Sequence, residues 1–382
     1  MNTDEHRWGR GGGSGLPGRT GGAVLRGDRL CRVLASLLLV TACAPTPERD
    51  PAIRGDLFVL TTDFETGAFS IVDSGTGEAA VNVGLVHSDA TARVRGDRVY
   101  VVSRLGQDNV TALDVGDRYA VLWQASTEPG SNPQDIAFAS DRKAYVSRLE
   151  RTGLLVLDPE TGATLGAIDL ASLADADGFP EPAAMLEVGD RIVVAVERLD
   201  RNDAYRPSGP GALAVIDPAT DRLERTIVLT AANPYGDMAI GPDGRLLVAE
   251  AGVFGELDGG IEAVDVAAGT AHGLLLDEAT LGGDVTAFAV VEDGSVWLVV
   301  SDASFVKSVV RWDPADGSRR TIVAGTSLLL PCVVPIPGPR VVVCDRTRES
   351  PGLRFYDLEG RQQGEPIDVG LPPWAVRVVE AR

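Results

Sequence analysis

Leu155-Val156-Leu157-Asp158-Pro159-Glu160-Thr161-Gly162 is an apolar run that stops at an aspartate and then turns, and the chain repeats this pattern throughout the part that follows its N-terminal segment. It returns as Ile71-Val72-Asp73-Ser74, Ala112-Leu113-Asp114-Val115, Val215-Ile216-Asp217-Pro218, Ala263-Val264-Asp265-Val266, Arg311-Trp312-Asp313-Pro314 and Phe355-Tyr356-Asp357-Leu358. The aspartates recur roughly every 47 residues, a period that marks a repeat architecture. One carboxylate per repeat, always before a turn, reads as an acceptor for the backbone amides of that turn and not as a catalytic acid.

Outward from each aspartate the rest of the unit is legible. Ahead of it lies a second β-rich run, as in Leu57 to Thr62, Val99 to Ser103, Ala144 to Ser147, Ile192 to Val196, Leu246 to Ala249, Val296 to Val300 and Val341 to Cys344. Short polar turns such as Arg95-Gly96-Asp97, Gly189-Asp190 and Pro242-Asp243-Gly244 precede these runs, and each follows another apolar strand. They read as tight hairpins. After the aspartate, turns such as Pro218-Ala219-Thr220-Asp221 lead into a fourth strand, Thr226-Ile227-Val228-Leu229. Four antiparallel strands per repeat, seven times over, predict an all-β fold, a seven-bladed β-propeller. The ends predict its closure. The first repeat starts directly at Leu57 without a leading strand, while Pro373-Trp374-Ala375-Val376-Arg377-Val378-Val379 supplies one spare strand at the C-terminus. That strand should complete blade one and leave no long open edge.

The segments Pro133-x-x-Ile136-Ala137, Ala144-Tyr145-Val146-Ser147, Leu155 to Gly162 and Gly241-Pro242-Asp243-Gly244-Arg245-Leu246-Leu247-Val248-Ala249 resemble the YVTN-type seven-bladed propeller family. The resemblance covers roughly residues 55–382 and implies the same ring fold. A single Trp312-Asp313 without a Gly-His partner in any blade does not make a WD40 repeat.

The N-terminus has a different composition. Residues 1–42 hold six arginines against three acids and the apolar run Val33 to Val40, which at eight residues is too short to cross a bilayer as a helix. Arg26, Arg29 and Arg32 suit the basic part of an export signal, with residues 1–23 read as a misassigned start. Val40-Thr41-Ala42-Cys43 resembles the lipobox of bacterial lipoproteins, which implies lipid on Cys43 and a tether over 43–54 before a propeller over 55–382. Ala44 in the second mature position implies, by the same resemblance, the outer membrane of a Gram-negative bacterium. The expected address is therefore an exported lipoprotein held to the membrane by its N-terminal lipid. The whole chain of 382 residues carries a formal charge of −20, which repels phosphate backbones, and no nucleic-acid partner is expected. In an exported compartment Cys332 and Cys344, symmetric about Gly338, are expected to form a disulfide across the hairpin of blade seven.

Loop lengths point to a site. Turns from first to second and from third to fourth strand are short; the other two classes emerge together on the opposite face and include Ala171 to Pro182, Arg198 to Ala212 and Ala251 to Gly260. Loops of that length are often functional, so a binding surface is expected there, weighted towards blades three to five. The candidate ligand-binding residues are Arg104, Arg148, Glu197, Arg198, Asp200, Asp203, Tyr205, Glu250, Asp302 and Arg346, with Asp345 beside them. Asp175 to Phe179 and Asp200 to Tyr205 are rich in carboxylates and could hold calcium, but neither follows a twelve-residue EF-hand pattern, and no cofactor is expected. Catalytic sets are missing: His87 and His272 are the histidines left after the signal, Lys143 and Lys307 are the lysines, and no Gly-x-Ser-x-Gly elbow or phosphate loop occurs. The expected function is a non-enzymatic binding or scaffold module for a protein or a small polar ligand. The alternative is a calcium-dependent lactonase-like hydrolase built on axial carboxylates.

Overall fold

A computed structural model describes residues 53, 55–326 and 330–379, which belong to one compact unit. The segments expected to be an export signal and a tether, with Cys43, lie outside the described residues except for residue 53. Among the described residues seven antiparallel sheets form successive blades, with four strands in each of blades one to six, and an eighth, two-stranded sheet pairs Leu199–Asp200 with Arg206–Pro207 in the long loop of blade four. Blade seven pairs three strands, Val333–Ile336, Arg340–Asp345 and Gly352–Asp357, and its outermost position is reduced to the bridges Leu353↔Ile367 and Tyr356↔Gln362. Among the described residues, helix is confined to one α-turn at Glu278–Leu281 and two 3₁₀ turns.

Closure takes the predicted form. Pro373–Val378 pairs antiparallel with Leu57–Thr62, Leu57 opposite Val378 and Leu60 opposite Ala375, so that the last strand becomes the innermost strand of the first blade. Both faces of every blade are then covered. Leu57–Thr62 and Gly67–Val72 are buried at every position, whereas the outer strands Ala120–Ser126 and Thr164–Asp169 are largely exposed. This explains why the second and third strands read as unbroken apolar runs and not as alternating ones.

The core is divided accordingly. Seven hydrophobic clusters fill the seven gaps between neighbouring blades, from Phe58, Phe69 and Val99 between blades one and two to Leu57, Val342 and Leu353 between blades seven and one. Each large apolar side chain buried in such a gap contributes roughly 1.5–3 kcal/mol.

The recurring aspartates do what their position suggests. Asp73 Oδ1 accepts from Gly75 N and Thr76 N at 2.9 and 2.8 Å, Asp158 from Glu160 N at 2.9 Å, Asp217 from Ala219 N at 3.0 Å and Asp313 from Ala315 N at 2.9 Å. Asp114, Asp265 and Asp357 accept from Gly116 N, Ala268 N and Arg361 N in the same manner. Each closes the turn into the outer strand. Cys332 and Cys344 are joined as a disulfide, their Cα atoms 5.2 Å apart, and Cys344 N donates to Cys332 O across the hairpin.

Two outcomes test this architecture. A chain ending at Pro372 leaves Leu57–Thr62 without its partner, and its thermal unfolding followed by circular dichroism should lose cooperativity; a monomer that still melts in one sharp transition would refute closure by the C-terminal strand. Protein beginning at Ala44 should titrate no free thiol when denatured and two after reduction.

Candidate ligand site at the mouth of the central channel

The innermost strand of each blade enters from the long-loop face, and its alternate side chains point at the axis of the ring. In blade two that alternation places Thr91 and Arg93 there, and in blade three it places Asp135. A cavity of about 190 Å³ opens where these strands converge, lined by residues of all seven blades.

Arg93 is the hub of the channel. Its Nε and Nη2 reach the two oxygens of Asp135 at 2.8 and 2.7 Å, and Nη2 also meets Asp237 Oδ1 at 2.9 Å. Arg377, from the closing strand, lies 3.7 Å from the other oxygen of Asp237 and donates to Ala92 O at 2.6 Å. Two guanidiniums thus balance two carboxylates. Burial opposes the charge on Asp237, but Arg93 and Arg377 outweigh it and hold its carboxyl below the usual range. Burial also works against the Arg93 cation, and the two aspartates more than compensate, raising its pKa. Asp135 further accepts from Ile136 N and Met185 N, both at 2.8 Å, which ties blade three to blade four.

Above this knot, at the long-loop end, Arg104 is committed to Asp89 through both Nε and Nη2 and to Gln134 Oε1 at 3.2 Å. Glu197 is the exception. It is 8% exposed, lines the cavity, and its carboxyl accepts no hydrogen bond from any described residue. Burial, helped by the charge of Glu181 and resisted by Arg104, pushes its pKa up to about 8. At neutral pH it is a protonated donor without an acceptor. Tyr235, whose hydroxyl is raised by burial and by Glu197, stands edge-on to Phe254 with centroids 5.3 Å apart and forms one wall; Trp374 forms another.

The remaining sequence candidates serve the loops. Arg148 is buried, pairs with Glu128 at 3.1 Å and donates to Thr127 O and Gly153 O. Arg198 donates to Leu173 O and Pro210 O. Asp200 accepts from Asn202 N at 2.8 Å to start a 3₁₀ turn, Asp203 stays exposed, and the Tyr205 hydroxyl donates to Glu150 at 3.1 Å. Asp302 closes its own loop by accepting from Ser304 N and Val306 N. Asp345 is held by Arg354 and by Thr347 N. Arg346 donates to Pro372 O and Pro373 O and lies 4.6 Å above the Phe64 ring and 5.5 Å above that of Trp374, bracing the closing strand. Glu250 is fully buried, accepts from Ala231 N at 2.5 Å and leaves Oε1 without a partner; burial and the neighbouring Glu262 push its pKa up to about 9.

The carboxylate-rich loops are organised by an arginine. Arg201 inserts between Glu150, Asp177 and Glu181, and its guanidinium lies 3.5 Å over the Phe179 ring. Among the described residues no cluster of three or more His, Cys, Asp or Glu side chains is arranged to hold a metal ion. Of the sequence candidates, Arg104 and Glu197 reach the cavity; Arg93, Asp135, Asp237, Arg377 and Tyr235 were not singled out, although Asp135 and Arg93 are charged residues within runs that otherwise read as inner strands.

No protein-family model matches the chain, and no curated protein matches it in sequence. Solved structures do match in shape. A putative 6-phosphogluconolactonase from Bacteroides uniformis superposes with a TM-score of 0.59 at 13% identity, covering 86% of this chain and 100% of that one. A hydrazine synthase chain from Kuenenia stuttgartiensis gives 0.54 at 17% identity, over 72% of this chain and 79% of that one. A dihydro-heme d1 dehydrogenase gives 0.54 at 17% identity, over 88% and 78%. At such identities the likeness is one of fold.

The buried acids make stability depend on pH in a definite direction. Burial raises Glu181 and Glu278 to about 7, Glu197 to about 8 and Glu250 to about 9, against an ordinary value of 4.5. Each is protonated in the fold where the unfolded chain is ionised, so its contribution is complete below 4.5 and is lost as pH rises through the folded value. The melting temperature should fall as pH rises from about 5 to about 9. Glu197→Gln should make that fall shallower up to about pH 8 and leave it unchanged above, and a melting temperature that rises with pH over the whole range would contradict the assignment.

Proposed function

We propose that this protein is an exported, lipid-anchored, non-enzymatic propeller that binds a small uncharged polar ligand at the mouth of its channel. Glu197 carries the reading. Its carboxyl has no hydrogen-bonding partner among the described residues and opens on a cavity whose other charges are matched pair by pair, so it is the polar group there that is free to bond a ligand, and a hydrogen bond to it contributes about 0.5–1.5 kcal/mol. A charged ligand would upset the balance of Arg93 and Arg377 with Asp135 and Asp237. The aromatic rings of Tyr235 and Trp374 suit a ring that carries polar substituents.

The hydrolase alternative needs acids free to coordinate an axial calcium ion. Asp135 and Asp237 do not fit, since Arg93 lies between them and the lone pairs of Asp135 are spent on Arg93, Ile136 N and Met185 N.

Thermal shift against a panel of neutral monosaccharides, lactones and cyclic amides at pH 7 tests the reading. A compound at about 100 times its Kd adds about 2.7 kcal/mol of apparent stability. The expected hit raises the melting temperature of the native protein and loses that effect in Glu197→Ala; a panel without hits, or a hit indifferent to Glu197, counts against the channel mouth. Elemental analysis of the purified protein should find no stoichiometric divalent metal, and one tightly held ion per chain would restore the hydrolase.

A further inference from the structure

Blades of a propeller diverge towards the rim, so the wedge between neighbouring outer strands has to be filled by large side chains or remain open. Between blades two and three it is filled. Trp123, on the outer strand Ala120–Ser126, donates from Nε1 to Pro159 O at 3.2 Å and lies so close to Gly162 that a Cβ there would come within 2.6 Å of its ring. Between blades one and two the corresponding strand, Ala79–Val86, carries no such residue. Phe69 lies flat over Gly84, where a Cβ would meet its ring at 2.5 Å, and Leu85 turns outward with 80% exposure. What remains is a groove of about 730 Å³, against about 190 Å³ at the channel mouth.

The lining of this groove is ordered by polarity. At one end stand Phe69, Leu113 and Tyr119; along the blade-two side runs a ladder in which Gln124 Nε2 donates to Thr111 Oγ1 at 2.9 Å and to Asn109 Oδ1 at 3.4 Å. The charged or titratable side chains that reach it are Glu65 and His87, besides Tyr119.

Tyr119 is the decisive residue. It is 5% exposed, and its hydroxyl has no hydrogen-bond partner among the described residues. Its ring is clamped by Phe58 and Phe69, with centroids 5.7 and 5.6 Å away. Two consecutive left-handed residues, Arg118 at φ 54° and Tyr119 at φ 61°, swing the ring inward, a conformation that L-residues rarely adopt and that the packing around it has to support. Burial pushes the phenol up to about 12, so it remains a donor throughout the neutral range. Held in this way, the hydroxyl presents its donor to the open groove, where a bound molecule can supply the acceptor.

We propose that the groove between blades one and two is a second ligand site, for an uncharged molecule with a flat apolar body and a hydrogen-bond acceptor that meets the Tyr119 hydroxyl. The apolar body lies against Phe69 and Leu113, the acceptor faces Tyr119, and the Asn109, Thr111 and Gln124 ladder receives whatever polar edge the molecule presents. The site is independent of the channel mouth: its lining comes from the second, third and outer strands of blades one and two and from adjoining loops, and none of it from the innermost strands that face the axis.

Nile red, a planar neutral dye with a ring carbonyl, serves as the probe. Saturable binding with blue-shifted emission is expected for the native protein. Tyr119→Phe should weaken it about 3- to 10-fold, the loss of one neutral hydrogen bond. Gln124→Trp, which places in this wedge the side chain that closes the next one, should abolish it while the cooperative thermal transition is kept. Absence of saturable binding, or an affinity unchanged in both variants, overturns the proposal. Sedimentation at rising concentration covers the other occupant, because a dimer broken by Gln124→Trp would assign the groove to a second copy of the chain and overturn the small-molecule reading.

Discussion

The structure depends on one constraint: each blade has two apolar faces, and both must be covered. A row of sheets stacked in a line would leave the first and last faces wet, and a ring removes both ends at once. The pairing of Pro373–Val378 with Leu57–Thr62 is therefore more than a join between termini. It allows the cluster of Leu57, Val342 and Leu353 to exist on the same terms as the other six. Arg346, held over Phe64 and Trp374 and bonded to Pro372 O and Pro373 O, secures the same seam from the long-loop side.

Closing the ring creates the channel, and the channel imposes its own electrostatic demand. Side chains that alternate towards the axis cannot all be apolar without sealing it, and isolated charges there would be poorly solvated. The arrangement around Arg93 answers this by serving two aspartates with one guanidinium and adding Arg377 to restore balance. Glu197 meets the same demand by remaining protonated. The long loops of blades three and four solve a similar problem at the surface. Their carboxylates would repel one another in water, and Arg201 draws Glu150, Asp177 and Glu181 together instead.

How much of this was legible depended on the range over which each feature is encoded. The turn aspartates act on amides two to four residues away, so Asp73 or Asp217 could be assigned a role directly from its neighbours. Cys332 and Cys344 are twelve positions apart within one hairpin, close enough for symmetry about Gly338 to pair them. Arg148 and Arg198 looked like mouth residues because they end second strands, yet a strand end fixes only the height of a residue in the ring. Whether its side chain turns to the axis or into the adjoining loop depends on backbone geometry that strand composition does not carry, as with Arg198 at φ 54°.

Sequence alone therefore determined the class of fold, the number of blades, the closing strand and the disulfide, because each follows from local periodicity or from spacing within one repeat. Tertiary structure alone decided which polar groups meet. Arg93 and Asp237 stand 144 positions apart and touch because their strands converge on one axis, and Tyr119 opens on a groove because the neighbouring blade has Gly84 and Leu85 where a large inward side chain would close it. Contacts between blades depend on the angle and register at which whole sheets pack, and no single stretch of the chain contains that information.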